Sequence, residues 1–268
     1  MRIIRFTPPE SLGIGSDPHY GVVNESDEIL VLRGDPLFNG ILPLELPAGV
    51  LAPRLSEVKV LAPVLPRSKV VCVGKNYADH AAEMNSQVPD EPIIFLKPNT
   101  SVVGPEDLIR WPKQATAVDY EGELAIVIGR ICKDVPAEKW RDVVFGFTIA
   151  NDVTARNLQK KDGQWTRAKG FDTFCPLGPW IETEFEPQQQ RLQTVVNGEV
   201  RQSEPISSMI FKIPEIIEFI TSVMTLLPGD VILTGTPAGI GAAGAGAEIA
   251  ISIEGLGTLR NTVSEQQK

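Results

Sequence analysis

The chain has 268 residues, 43% hydrophobic and 22% charged, a balance that suits a globular protein with one large core or two unequal ones. Its formal net charge of −9 argues against nucleic acid as a partner, because an acidic surface repels phosphate backbones. No apolar stretch runs far enough without a charge or a proline to span a bilayer. The three cysteines, Cys72, Cys132 and Cys175, are far apart, which speaks against a disulfide framework or a zinc site. The first six residues meet Thr7-Pro8-Pro9 too early for a signal peptide, so a cytoplasmic protein with no membrane partner is expected.

Residues 1–60 alternate short strand signals, at 3–6, 20–23 and 29–32, with Gly, Pro, Asn and Asp turns. They predict a small β-rich N-terminal domain, in which His19 reads as an exposed loop histidine. Pro53, Pro63 and Pro66 mark the connection to a main domain over residues 67–268. There, residues 69–74 read as a buried strand and lead into a helix that Asn76 would cap. On that helix His80 and Glu83 are three apart and share a face. A carboxylate beside an imidazole orients it and raises its basicity, which suits a general base; a plain surface pair is the alternative. The polar residues 85–92 are a candidate lid, and residues 93–98 the next strand.

Residues 118–129 carry the strongest signal. They predict one continuous strand closed by Gly129, with Asp119, Glu121 and Glu123 on one face, roughly 7 Å apart in succession. Nothing basic within the strand relieves the repulsion. A divalent cation would do so, and hard oxygen ligands suit magnesium, manganese or calcium; a solvated acidic face is the alternative. A helix start is expected near residues 134–140. Residues 145–150 are apolar until Asn151-Asp152, and a carboxylate ending a buried strand requires a partner, which makes Asp152 the natural third ligand. Three carboxylates exceed the charge of one divalent ion, so a nearby cation is expected from Lys169 or Arg156.

The Asn197-Gly198 pair predicts a hairpin. Apolar residues at 213, 216, 217, 220, 223, 224 and 227 predict a core-facing helix over 213–227, followed by a strand at 231–234. Residues 239–244 spell G-x-G-x-x-G, but the dinucleotide reading needs a helix directly afterwards and residues 248–253 read as a strand. The expected use is a tight turn whose N–H groups, with the Thr234 and Thr236 hydroxyls, hold a carboxylate.

Six motifs in unbroken order resemble the fumarylacetoacetate hydrolase family, in its short bacterial and mitochondrial form. They are Gly74-Lys75-Asn76-Tyr77-Ala78-Asp79-His80, Phe95-Leu96-Lys97-Pro98, Asp119-Tyr120-Glu121-Gly122-Glu123-Leu124, Asn151-Asp152-Val153-Thr154-Ala155-Arg156, Lys169-Gly170-Phe171-Asp172-Thr173 and residues 227–237. The resemblance covers most of residues 67–260 and implies an α+β, mostly β protein: a mixed β-roll C-terminal domain beside the small β-rich N-terminal one, usually homodimeric. It implies Mg2+ or Mn2+ on Glu121, Glu123 and Asp152 (with Ca2+ possible in crystals), a His80–Glu83 dyad, and an active-site lysine at Lys169. It places Thr236 near the substrate carboxylate, with Gly235, Lys97 and Arg156 as further substrate-binding residues. Lys75 stands where many relatives carry arginine and receives no role.

The implied substrate is a small 2-oxo acid whose carboxylate and keto oxygens bind the metal, so that C–C cleavage leaves a stabilised pyruvate enolate. Hydrolysis of an acylpyruvate or fumarylpyruvate is the leading expectation. Isomerisation of 2-hydroxyhepta-2,4-diene-1,7-dioate and decarboxylation of oxaloacetate are the alternatives. A catalytically silent protein that binds a metal and a diacid is the reading from another class.

Overall fold

The computed structural model describes residues 1–84 and 86–267. Its framework is a sheet of eleven strands. At the centre Gly122–Ile128 pairs antiparallel with Val144–Asn151 on one side and Val231–Leu233 on the other. Val70–Gly74 follows in parallel, and Ile93–Lys97 pairs antiparallel beyond it. Cys175–Glu182 lies on the far side of Val144–Asn151. The short strand Val102–Val103, next in the chain after Ile93–Lys97, pairs in parallel with Cys175 and Pro176. That pairing brings the two ends of the run together and makes it a roll.

Alternation along these strands divides the interior in two. Leu124, Ile126 and Ile128 enter the larger core, with Leu192, Ile249, Ile251 and Leu259 of a second sheet and with Ile216, Ile217 and Ile220. Each fully buried side chain of this size contributes about 1.5–3 kcal/mol. Ala125 and Val127 point the other way, to Val70, Cys72, Cys175, Leu177, Val231 and Leu233.

The second sheet runs Glu199–Pro205, Arg191–Val196, Glu248–Ile253, Gly257–Val263 and Leu108–Ile109. Its first two strands form the expected hairpin, with Asn197 at φ 50° and Gly198 at φ 83°, the backbone of a type I′ turn. The core-facing helix covers Ile213–Val223 and stops short of Leu227, because Leu226 exchanges backbone hydrogen bonds with Cys132. The helix start expected near residue 134 is a 3₁₀ helix, Ala137–Val143.

At the N-terminus Arg2–Thr7 pairs with Cys175–Glu182, then with His19–Val23, which pairs with Ile29–Val31. The N-terminal strands therefore extend the main sheet, over a core of Ile4, Phe6, Leu12, Val23, Ile29 and Val31. His19 is not in a loop: it begins a strand opposite Phe6, with the ring centroids 6.5 Å apart. The cysteines are buried and free, and no helix among the described residues is long and apolar enough to cross a membrane.

Two local expectations are corrected. The acidic strand is not continuous: it breaks at Glu121, and Val118–Tyr120 belongs to a separate sheet with Thr154–Ala155 and Gly241–Ala242. Side chains replace the ladder at the break, since the Glu121 N–H donates to Asn151 Oδ1 and the Gly122 N–H to Gln202 Oε1, each at 3.0 Å. Asn76 does not cap the helix Ala78–Glu83, which Tyr77 precedes. Its buried amide donates to the Thr234 and Phe211 carbonyls and accepts from the Phe211 N–H, tying three segments together.

Candidate metal centre

Gly122 sits opposite Asn151 in the sheet, so Glu121 and Glu123 emerge beside Asp152, whose N–H donates to the Glu121 carbonyl at 2.9 Å. One carboxylate oxygen from each of the three lies within 4.8 Å of the others, and all three residues are at most 4% exposed. Lys169, at the end of the short helix Thr166–Lys169, donates to Glu121 Oε2 at 2.7 Å and Asp152 Oδ2 at 2.6 Å. From the inside of the roll Lys97 donates to Asp152 Oδ1 at 2.5 Å and the Val153 carbonyl at 3.2 Å. Arg156 forks between Asp119 Oδ2 at 2.8 Å and Glu121 Oε1 at 2.6 Å. Asp119 thus reaches Glu121 through this guanidinium, not through a shared strand face.

The carboxylates differ in how they are supported. Burial disfavours the charge on Glu121, but Lys169 and Arg156 outweigh it and bring its pKa down to about 2. For Glu123 burial, then Asp152 and Glu121, push the carboxyl well above its ordinary range. It accepts one hydrogen bond, from the Gly235 N–H at 2.6 Å, and has no ion pair among the described residues. Burial opposes the Lys169 charge as well, yet Asp152 and Glu121 raise its pKa above that of a free lysine. Four carboxylates, those of Asp119, Glu121, Glu123 and Asp152, face three cationic side chains, Lys97, Arg156 and Lys169. The surplus falls on Glu123. An all-oxygen, converging, under-neutralised set of this kind fits a hard divalent cation such as Mg2+ or Mn2+.

The three carboxylates open onto a cavity of about 200 Å³ whose walls include His80, Arg156, Lys169 and Thr236, with Val73, Met84, Phe95 and Trp165 as its apolar side and Gly74, Lys75, Gln159 and Lys160 completing it. Trp165 stands edge-on to Phe95, 5.1 Å between centroids, and the Lys169 ammonium lies 5.2 Å from the Phe95 ring centre. His80 is buried, with Nδ1 3.4 Å from Glu83 Oε2. Glu83 is largely exposed, off the cavity wall, and accepts from the Gly239 N–H at 3.2 Å.

Some predicted residues serve differently from expectation. The carboxylate at the glycine-rich turn belongs to the chain's own Glu83, and the strand Glu248–Ile253 follows that turn, as the rejection of a dinucleotide site requires. The Thr234 hydroxyl donates to the Leu124 carbonyl at 2.9 Å and is fully buried. Thr236 faces the cavity, but its hydroxyl already donates to the Gly122 carbonyl and accepts from Gln202 Nε2, both at 2.8 Å. The Gly235 N–H is taken by Glu123, and Lys97 stands behind Asp152 without lining the cavity. None of residues 86–92 of the candidate lid lines it either, and Asn85 lies outside the described residues. Sequence reasoning missed Gln202, which no local pattern links to Thr236, and Trp165, which an aromatic four residues before Lys169 on a short helix does signal.

Residues 69–264 match the model of the fumarylacetoacetate (FAA) hydrolase C-terminal domain. The chain belongs to the fumarylacetoacetate hydrolase family. Residues 1–63 match the Rv2993c-like N-terminal model. Among similar proteins, the mitochondrial oxaloacetate tautomerase Fahd2a of Rattus norvegicus is 44% identical over 290 residues, covering 98% of this chain and 91% of its own. The crystal structure of 5-carboxymethyl-2-hydroxymuconate delta-isomerase from Mycobacterium smegmatis is 46% identical with a TM-score of 0.87, covering 100% of both chains. That of fumarylpyruvate hydrolase from Pseudomonas aeruginosa, in complex with Mn2+ and pyruvate, is 32% identical with a TM-score of 0.71, covering 77% of this chain and 92% of that one.

Proposed function

We propose that this family member is a Mg2+- or Mn2+-dependent enzyme that moves a proton on a small 2-oxo acid and passes through its enolate. The observation that carries this is the buried triad of Glu121, Glu123 and Asp152 with Lys169 between two of its members, on one cavity with His80. A divalent cation held by the triad would supply Lewis-acid polarisation of a bound keto acid. The Lys169 ammonium adds fixed positive charge where an enolate oxygen develops. His80 Nδ1 faces Glu83, which favours the proton on that nitrogen and leaves Nε2 as the base. Nε2 would take a proton from C3 of the keto acid, which returns to the enolate oxygen in tautomerisation or to another carbon of the chain in isomerisation. Gln202 keeps Thr236 in place on the cavity wall, and Arg156 holds Glu121 ionised.

Isomerisation or keto–enol tautomerisation is the net reaction we favour, because the Rattus norvegicus tautomerase and the Mycobacterium smegmatis isomerase, both matched over nearly their full length, carry those names. Hydrolysis of an acylpyruvate is the second reading: the His80–Glu83 pair is equally suited to activating a water against a distal carbonyl, and the hydrolase relative was solved with Mn2+ and pyruvate. The test is an assay with Mn2+ or Mg2+ against oxaloacetate, 2-hydroxyhepta-2,4-diene-1,7-dioate, fumarylpyruvate and acetylpyruvate, followed by ultraviolet absorbance and product identification. Chelator-sensitive interconversion without loss of carbon supports proton transfer. Release of pyruvate from the diketo acids favours hydrolysis, and release of carbon dioxide from oxaloacetate favours decarboxylation. No turnover of any of the four leaves a silent binding protein.

A further inference from the structure

We infer that Gln202 is a positioning residue of the metal centre, one that sets where Glu123 stands relative to Glu121. This rests on the metal reading above, and it gives the spacing of the two glutamates to a residue that hydrogen-bonds neither carboxylate. Gln202 lies on the strand Glu199–Pro205 of the second sheet and is 1% exposed. Its Oε1 accepts from the Gly122 N–H at 3.0 Å and the Thr194 hydroxyl at 2.7 Å. Its Nε2 donates to Thr236 Oγ1 and to the Pro237 carbonyl, both at 2.8 Å.

These partners decide which way the amide faces, because the Gly122 N–H can only donate and the Pro237 carbonyl can only accept. The Thr236 hydroxyl therefore accepts from Gln202 and directs its own proton to the Gly122 carbonyl at 2.8 Å. The result is a closed ring of hydrogen bonds: Gly122 N–H to Gln202, Gln202 to Thr236, and Thr236 back to the Gly122 carbonyl. That ring grips the two peptide groups that join Gly122 to Glu121 and to Glu123. It does so beside the break in the acidic strand, where side chains have replaced the ladder.

The same amide holds the other end of Glu123. Its bonds to Thr236 and Pro237 fix the turn whose Gly235 N–H donates to Glu123 Oε2 at 2.6 Å. Backbone and carboxylate of Glu123 are thus both set from Gln202, whereas Glu121 and Asp152 are held directly by Lys169. Gly122 has no room to move away: a Cβ there would stand 2.4 Å from Thr194 Oγ1 and 3.2 Å from Gln202 Oε1. A methionine would fill the volume of Gln202 with no amide to bury, so the amide serves direction and not packing.

Calorimetric titration of Mn2+ into metal-free protein, paired with thermal melts, tests the assignment without any turnover. Gln202→Met should weaken Mn2+ binding by about 10–100-fold, the usual cost of losing a residue that orients a metal ligand. Thr194→Val removes one bond to the same oxygen but leaves the ring closed, so it should lower the Tm without weakening Mn2+ binding. Thr236→Val opens the ring at another link. The variant carrying both Gln202→Met and Thr236→Val should therefore bind no more weakly than the weaker of the two single variants. Gln202→Asn keeps the amide but shortens its reach; it should show the same loss, and it carries the test if Gln202→Met does not fold. Wild-type affinity in Gln202→Met or Gln202→Asn overturns the inference and leaves the metal reading standing. So does an equal loss in Thr194→Val, or losses that add in the double variant. If the wild type itself binds no Mn2+, both readings fall.

Discussion

Lys169 and Glu123 are the two residues on which the site's electrostatics turn. Lys169 bridges Glu121 and Asp152 from a buried position, and Lys169→Met removes that charge with little change of volume. Turnover should fall at least tenfold, about 1.4 kcal/mol of transition-state stabilisation, with substrate binding less affected. Unchanged steady-state kinetics would remove Lys169 from the mechanism. Glu123 and Glu121 predict opposite dependences on pH in the metal-free protein. Glu123 is raised above the ordinary 4.5, so the stability it contributes is present below that value and lost as pH rises through its folded pKa. Glu121 is lowered to about 2, so its contribution is present above 4.5 and lost as pH falls toward 2. Glu123→Gln should therefore raise the Tm of metal-free protein at pH 8 by about 2–4 °C for each kcal/mol of relieved charge burial, and abolish stabilisation by Mn2+. A thermal melt with and without Mn2+ checks both halves. A lower metal-free Tm at pH 8 in the variant would contradict them.

The turn at residues 234–236 shows what holds the elements in place around those residues. Gly235 lies at φ 100°, and a Cβ there would stand 2.7 Å from Asn76 Cβ. Gly235→Ala should destabilise the fold by about 1–3 kcal/mol and weaken Mn2+ binding, because the N–H that orients Glu123 shifts with the turn. Melting and metal titration of the same sample read the two effects separately, and unchanged values in both would show the turn to be tolerant. This element also marks where sequence reading stops. Glu121, Glu123 and Asp152 were legible because strand alternation and the end of an apolar run make each carboxylate locally conspicuous, and Lys169 was legible as the cation that three such carboxylates require. The break at Glu121 was not, because its causes are Asn151 and Gln202, thirty and eighty residues away. Asn76 read as a cap because Asn before a helix is usually one, and only the packed fold reveals Thr234 and Phe211 as its partners. The end of the helix Ile213–Val223 was misjudged for a related reason: Met224 and Leu227 keep the apolar period while Leu226 has already paired with Cys132.

For the molecule as a whole, strand identities were readable from apolar runs and turn residues, but the closure of the roll was not. It depends on Val102–Val103 meeting Cys175 and Pro176, a pairing without any sequence signal. The attachment of the N-terminal strands was equally hidden, since Arg2–Thr7 reads like any edge strand until Cys175–Glu182 is set beside it. Ile3 is fully buried at that seam with Ile181 and Leu177. Ile3→Ala should destabilise the protein by about 2–5 kcal/mol in chemical denaturation, while the folded variant binds Mn2+ as the wild type does; a loss of metal affinity would mean that the N-terminal strands help to shape the site. Glu121, Glu123 and Asp152 are proposed to clasp a single cation. Titration calorimetry of Mn2+ into metal-free protein tests it most directly: one ion per chain should bind, and Glu121→Gln, Glu123→Gln or Asp152→Asn should each abolish that binding in a protein that still folds. No binding to the wild type, or unaltered binding to all three variants, would contradict it.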